Sequence, residues 1–125
     1  MTGLQEPFDE VLGRLRRANT DLQDVEVKAA GGGLPRTAVE SVSAFANAEG
    51  GLLILGLDES DAFRPVPIDA AKLASDLASA CTDQLEPPIR LEIDIVTTED
   101  RPVVVATIDP LPVDRMSPAS GMGPL

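Results

Sequence analysis

Histidine is absent from the 125 residues, and cysteine occurs once, at Cys81. Imidazole-based nucleophilic catalysis is therefore excluded, as are an internal disulfide and a cysteine-built zinc site. Chemistry falls to carboxylates, hydroxyls, lysine or a hard metal ion. Carboxylates are plentiful: 21 Asp and Glu stand against 10 Lys and Arg, for a net charge of −11. In Glu26-Val27-Lys28 the period of a strand puts carboxylate and ammonium on one face. The two can form a structural ion pair, or the lysine can hold a phosphate. Gly31-Gly32-Gly33 precedes a helix and is either an anion cradle of free N–H groups or a plain loop. No Walker motif follows it, so ATP binding by this segment lacks support from its own chemistry.

Cations are unevenly spread. Residues 1–40 hold seven acids and five bases, whereas residues 41–125 hold fourteen and five. Arg14, Arg16, Arg17, Lys28 and Arg36 thus form the candidate phosphate-binding surface. A solvated helix face is the competing reading of the arginines at 14–17. An isoelectric point near 4.2 slows approach to a polyanion. The absence of Trp and Tyr, with only three Phe, leaves little for base stacking.

These residues need elements to position them. Phe8, Val11, Leu12 and Leu15 form a helical stripe over residues 7–18, with a Glu10–Arg14 pair expected on the other face. Residues 25–28 read as a short strand. A second helix opens at Pro35, carries Ala38, Val39, Val42, Phe45 and Ala46 inward, and stops at Gly50-Gly51. The apolar run 52–57 suits a strand covered on both faces. Residues 58–67 read as an acidic, turn-rich connection. Asp69 is placed to cap a third helix over 70–82. Ile89, Leu91, Ile93 and Ile95 alternate with polar residues and predict a half-buried strand facing Val42, Phe45, Ile54 and Leu77. Glu99-Asp100-Arg101 turns the chain into a hairpin partner over 103–108. The order α-β-α-β-α-β-β predicts a single α+β domain over residues 1–110, a small mixed β-sheet with helices mainly on one face. Residues 111–125 read as a Pro/Gly/Ser-rich tail or truncated continuation, lying along the surface or pairing with a neighbouring chain.

Residues 41–58, Ser-Val-Ser-Ala-Phe-Ala-Asn-Ala-Glu-Gly-Gly-Leu-Leu-Ile-Leu-Gly-Leu-Asp, resemble the Schlafen-type Alba-like domain, a divergent Alba-like DNA-binding family. The pattern rests on Ala44, Phe45, Ala46, Asn47, Glu49, Gly50, Gly51, Gly56, Leu57 and Asp58. Glu26-Val27-Lys28 matches the family's Glu-aromatic-Lys signature with Val27 in the aromatic position, and Pro87-Pro88 followed by two strands fits its layout. The resemblance spans roughly residues 20–110.

The resemblance implies a nucleic-acid-binding or regulatory module, with DNA or RNA as partner and transcription regulation among its roles, sited within a larger protein or in a homo-oligomer. Relatives also cleave RNA. Their three acidic positions fall here on Asp21, Glu26 and Glu59, so the resemblance implies a catalytic and metal-binding trio that would hold Mg²⁺ or Mn²⁺. Solvated turn acids are the alternative. A protein-interaction domain with a lost site is the third reading. No apolar run is long enough to cross a membrane, and no secretory signal or disulfide framework is present, so a cytoplasmic location is expected.

Overall fold

A computed structural model of the chain describes residues 5–18, 24–87, 89 and 91–112. Helix α1 is Gln5–Ala18, followed by β1 Val25–Lys28, α2 Arg36–Ala46 and β2 Gly51–Leu55. A small hairpin of β3 Leu57–Asp58 and β4 Arg64–Pro65 comes next, with a single 3₁₀ turn, Glu59–Asp61, between its strands. Helix α3 is Ala70–Asp83, and the chain ends in a long hairpin of β5 Glu92–Thr98 and β6 Arg101–Ile108. The main sheet has the order β1-β2-β6-β5. β1 runs parallel to β2, which requires α2 as the crossover, and the other two pairings are antiparallel. The α+β mixed sheet expected from the sequence is thus observed, with the β3-β4 hairpin as an addition.

Each face of the sheet carries its own core. Helices α2 and α3 cover one face, where Val42, Leu73, Leu77 and Cys81 pack with Leu53, Leu55, Val104, Ala106 and Ile108. Helix α1 covers the other, where Phe8, Leu12 and Leu15 pack with Val25, Val27, Ile54, Val103 and Val105. This is why β2 reads as an unbroken apolar run: Leu53 and Leu55 point one way and Ile54 the other. Ile54 was expected beside Val42 and Leu77 and belongs instead to the α1 side.

The long hairpin corrects the sequence reading at two more positions. Ile89 is buried and Ile93 packs at the margin of the α2–α3 core, but Ile95 is 49% exposed. β5 is an edge strand, and the helical cover on that face stops short of Ile95. Val96 is buried on the opposite face instead, in the α1-side core. The tight turn is as expected, with Glu99 and Asp100 both left-handed at φ 49° and 65°. Two successive positive φ values suit the right-handed twist of a two-residue hairpin.

Helix α3 starts where the sequence places it. The Asp69 carboxylate accepts from the Lys72 backbone N–H at 3.2 Å, satisfying a donor that the first turn leaves without an intrahelical partner. Asp69→Ala is expected to cost about 1 kcal/mol, whereas Asp69→Ser should retain most of it. Urea unfolding of the two variants checks this ordering.

The expected Glu10–Arg14 pair is not among the ion pairs of the described residues. Leu111 donates its N–H to the Ala46 carbonyl at 2.8 Å and rests against the α2–α3 core. The rest of the tail, residues 113–125, lies outside the described residues.

Candidate functional site

Strand β1 separates two clefts because its side chains alternate. Glu26 and Lys28 face α2 and line a cleft of about 350 Å³ with Thr37, Glu40, Ser41 and the edge of Phe45. The Lys28 ammonium donates to a Glu26 carboxylate oxygen at 3.1 Å. Lys28 is the more sheltered partner, its side chain 17% exposed, so the structural pairing foreseen for these two residues exists inside a polar recess. The cleft presents a mixed set of one ammonium, two carboxylates and two hydroxyls. Such a set can donate to and accept from a polar ligand, with Phe45 as an apolar wall.

Val27 and Ala29, on the other face, line a larger cleft of about 590 Å³ with Leu57, Asp58, Glu59 and Ser60. Its rim is the 3₁₀ turn. Asp58 caps that turn by accepting from the Ser60 N–H at 3.0 Å and the Ser60 hydroxyl at 2.7 Å. Two left-handed residues follow, Ala62 and Phe63 at φ 54° and 58°, and Phe63 sends its ring wholly into the α1-side core. Glu26 and Glu59 therefore line different clefts on opposite sides of β1. Asp21, the third acid of the implied trio, lies outside the described residues. Among the described residues no three acidic, cysteine or histidine side chains are grouped closely enough to hold a metal ion.

The five candidate phosphate contacts divide between the two layers. Arg14, Arg16 and Arg17 lie on α1, while Lys28 and Arg36 lie on the α2 side. Arg14 and Arg17 are exposed and belong to none of the ion pairs among the described residues. Arg36 opens α2 and is also exposed. Arg16 has a task the sequence did not reveal. Its Nε donates to the Ala62 carbonyl at 3.0 Å, and Nη2 donates to the Phe63 carbonyl at 3.3 Å and to the Glu99 carboxylate at 2.8 Å. No local pattern could have signalled contacts 46 to 83 residues away.

The Asn47-to-Gly51 segment is built for close approach. The Asn47 amide donates back to the Ser43 carbonyl at 3.0 Å, and the Gly50 N–H closes the helix end on the Phe45 carbonyl at 2.8 Å. A Cβ on Gly51 would lie 2.6 Å from the Phe45 ring and 2.9 Å from the Asp24 carbonyl oxygen. These residues thus make the corner that seats α2 over the sheet. Gly31-Gly32-Gly33 forms an exposed turn in which the Gly33 N–H reaches the Ala30 carbonyl at 3.2 Å. Cys81 is fully buried, and burial pushes its thiol up to about 11, which keeps it neutral and a poor nucleophile near pH 7. No helix among the described residues is long and apolar enough to cross a membrane.

With this geometry in place, comparison with known proteins gives a consistent picture. The family model described as Schlafen, AlbA_2 matches residues 21–119. Among solved structures, the N-terminal domain of a RecG-related protein from Nitrosomonas europaea is 30% identical, with a TM-score of 0.72 over 84% of this chain and 74% of that one. The DIP2311 protein from Corynebacterium diphtheriae shares the fold at 15% identity and a TM-score of 0.52, over 86% of this chain and 23% of that one. No curated protein matches the chain.

Proposed function

From the chain's membership of the Schlafen, AlbA_2 family, we propose that it is a nucleic-acid-binding module serving a larger protein or assembly. The observation that carries this reading is the family match, which covers most of the chain. The Nitrosomonas relative supports it, since its name relates that protein to ATP-dependent DNA helicases. Arg14 and Arg17 supply the chemistry: they are three residues apart on one face of α1, exposed and outside the ion pairs of the described residues. A phosphate backbone is bound by such cations through counterion release, without sequence preference. Lys28 and Arg36 offer a second, separate contact region on the α2 side.

The test is binding of labelled duplex DNA, single-stranded RNA and tRNA across a salt series. In Arg14→Ala/Arg17→Ala, affinity should fall on every sequence, and the slope of log affinity against log salt should lessen by about 2. Both side chains are exposed, so the variant should unfold as the parent does. Failure of the parent to bind any of the three polymers at low salt would overturn the reading. The same assay with Mn²⁺ tests the nuclease alternative through Asp21, Glu26 and Glu59. Metal-dependent cleavage lost in Glu26→Gln would move the assignment from binding module to endoribonuclease.

A further inference from the structure

We propose that Arg16 is a latch through which a phosphate polymer held on α1 controls the shape of the larger cleft. This rests on the nucleic-acid reading above and goes beyond it by joining two sites. Arg16 fastens two strained segments at once. Its guanidinium reaches the carbonyls of Ala62 and Phe63 and the carboxylate of Glu99. Ala62, Phe63, Glu99 and Asp100 all have positive φ, between 49° and 65°, without being glycine. Such conformations persist where the surroundings over-determine them. Here one side chain from α1 bonds to both turns, adding to the strand pairing and the buried Phe63 ring that also hold them. The first turn belongs to the loop carrying Asp58, Glu59 and Ser60 into the cleft, so what holds Ala62 and Phe63 also holds the cleft's acidic rim.

The bond to Glu99 is the replaceable one. The Arg16 and Glu99 side chains are 34% and 49% exposed, and an ion pair so open to water is weak and screened by salt. A phosphate oxygen offers the same guanidinium an acceptor of greater charge. Arg17 lies between Arg14 and Arg16 around the helix, about 60° from the first and about 100° from the second at 3.6 residues per turn, so a polymer broad enough to cross this exposed face from Arg14 over Arg17 reaches Arg16. It also arrives beside the Glu99 carboxylate, which repels it. Moving Arg16 from Glu99 to phosphate gives the phosphate a guanidinium partner against that repulsion and separates the hairpin tip from the cleft loop. Asp9, Glu10 and Asp100 are other exposed acids near these arginines in sequence or at the turn, and the ion pair of Arg16 is with Glu99.

Coupling of this kind is reciprocal: if the polymer opens the latch, opening the latch favours the polymer. Glu99→Gln removes one negative charge and leaves only a neutral amide oxygen as latch acceptor, without charge assistance, whereas Asp100→Asn removes one charge from the same turn and leaves the latch. A labelled DNA duplex should bind Glu99→Gln about fivefold more tightly than Asp100→Asn. In parallel, amide hydrogen exchange at Ser60 and Phe63, whose N–H groups are bonded to Asp58, should quicken in Glu99→Gln, in Arg16→Lys, and in the parent on adding duplex. Lysine keeps the charge but lacks the fork that spans both turns. Equal affinities of the two acid variants would show a general charge effect and overturn the latch while leaving the nucleic-acid reading intact. If the parent binds no duplex, that reading and the polymer's control fall together. Faster exchange in Glu99→Gln and Arg16→Lys would then still assign Arg16 as the positioning residue of the loop.

Discussion

Gly50→Ala should cost about 3 kcal/mol or more of unfolding free energy in urea, because two penalties meet at one atom. Gly50 has φ +83°, a left-handed conformation that costs an L-residue about 1–2 kcal/mol. The added Cβ would also stand 2.5 Å from the Ile108 carbonyl oxygen and 3.1 Å from Pro110 Cδ. Neither neighbour can yield cheaply. Ile108 ends β6 opposite Gly51, and its side chain is buried in the α2–α3 core. Moving Gly50 instead would strain its own N–H bond to the Phe45 carbonyl, which closes the end of α2. Gly51→Ala should cost less, since the nearest obstacle is the half-buried Phe45 ring, although the Asp24 carbonyl still crowds it. Gly32→Ala is the control, with nothing within 4 Å and an expected change of no more than about 0.5 kcal/mol. A Gly50→Ala loss as small as that of Gly32→Ala would refute the packing argument.

That corner explains why the family was legible in the sequence. A helix end, a left-handed residue and a strand passing against both neighbours admit few alternatives, so Asn47, Gly50 and Gly51 mark the fold directly. Local signals also sufficed for the Asp69 cap and for the turn at Glu99-Asp100. The hydrophobic run 52–55 announced a strand covered on both faces, but without polar alternation it could not say which face takes Ile54. In β5 the alternation was real, yet Ile95 emerges because cover by a helix is a tertiary property that no strand pattern encodes. The candidate site was legible in its pairs and not in its assembly. Glu26 and Lys28 meet because two residues along a strand share a face. The same rule sends Val27, and the cleft that Glu59 lines, to the opposite side. In the sequence Arg16 reads only as a phosphate contact or part of a solvated helix face, because its partners come from a loop and a hairpin far along the chain.

Phe63 is the other residue whose weight the sequence hid, and its truncation should rank among the largest single-side-chain effects of the described residues. It lies within an acidic connection, between Asp61 and Arg64, where a lone aromatic gives no periodicity. Yet its ring is fully buried in the core formed with Phe8, Leu12, Leu15 and Leu57. Phe63→Ala should therefore cost about 3–5 kcal/mol, the range for emptying a buried phenylalanine site. Phe45→Ala should cost less despite Phe45's place in the family motif, because its ring is only half-buried at the edge of the smaller cleft. Phe63→Leu refills most of the volume and should recover the loss to within about 1.5 kcal/mol. The consequence reaches α1, since Phe63 anchors the loop whose carbonyls receive Arg16. At temperatures where the variant is still folded, Phe63→Ala should quicken amide exchange in α1 and in residues 58–63 together, and should leave α3 unchanged. Urea unfolding of the three variants, with exchange measured on the folded protein, decides the matter. A Phe45→Ala loss exceeding that of Phe63→Ala would place the anchor of this layer elsewhere.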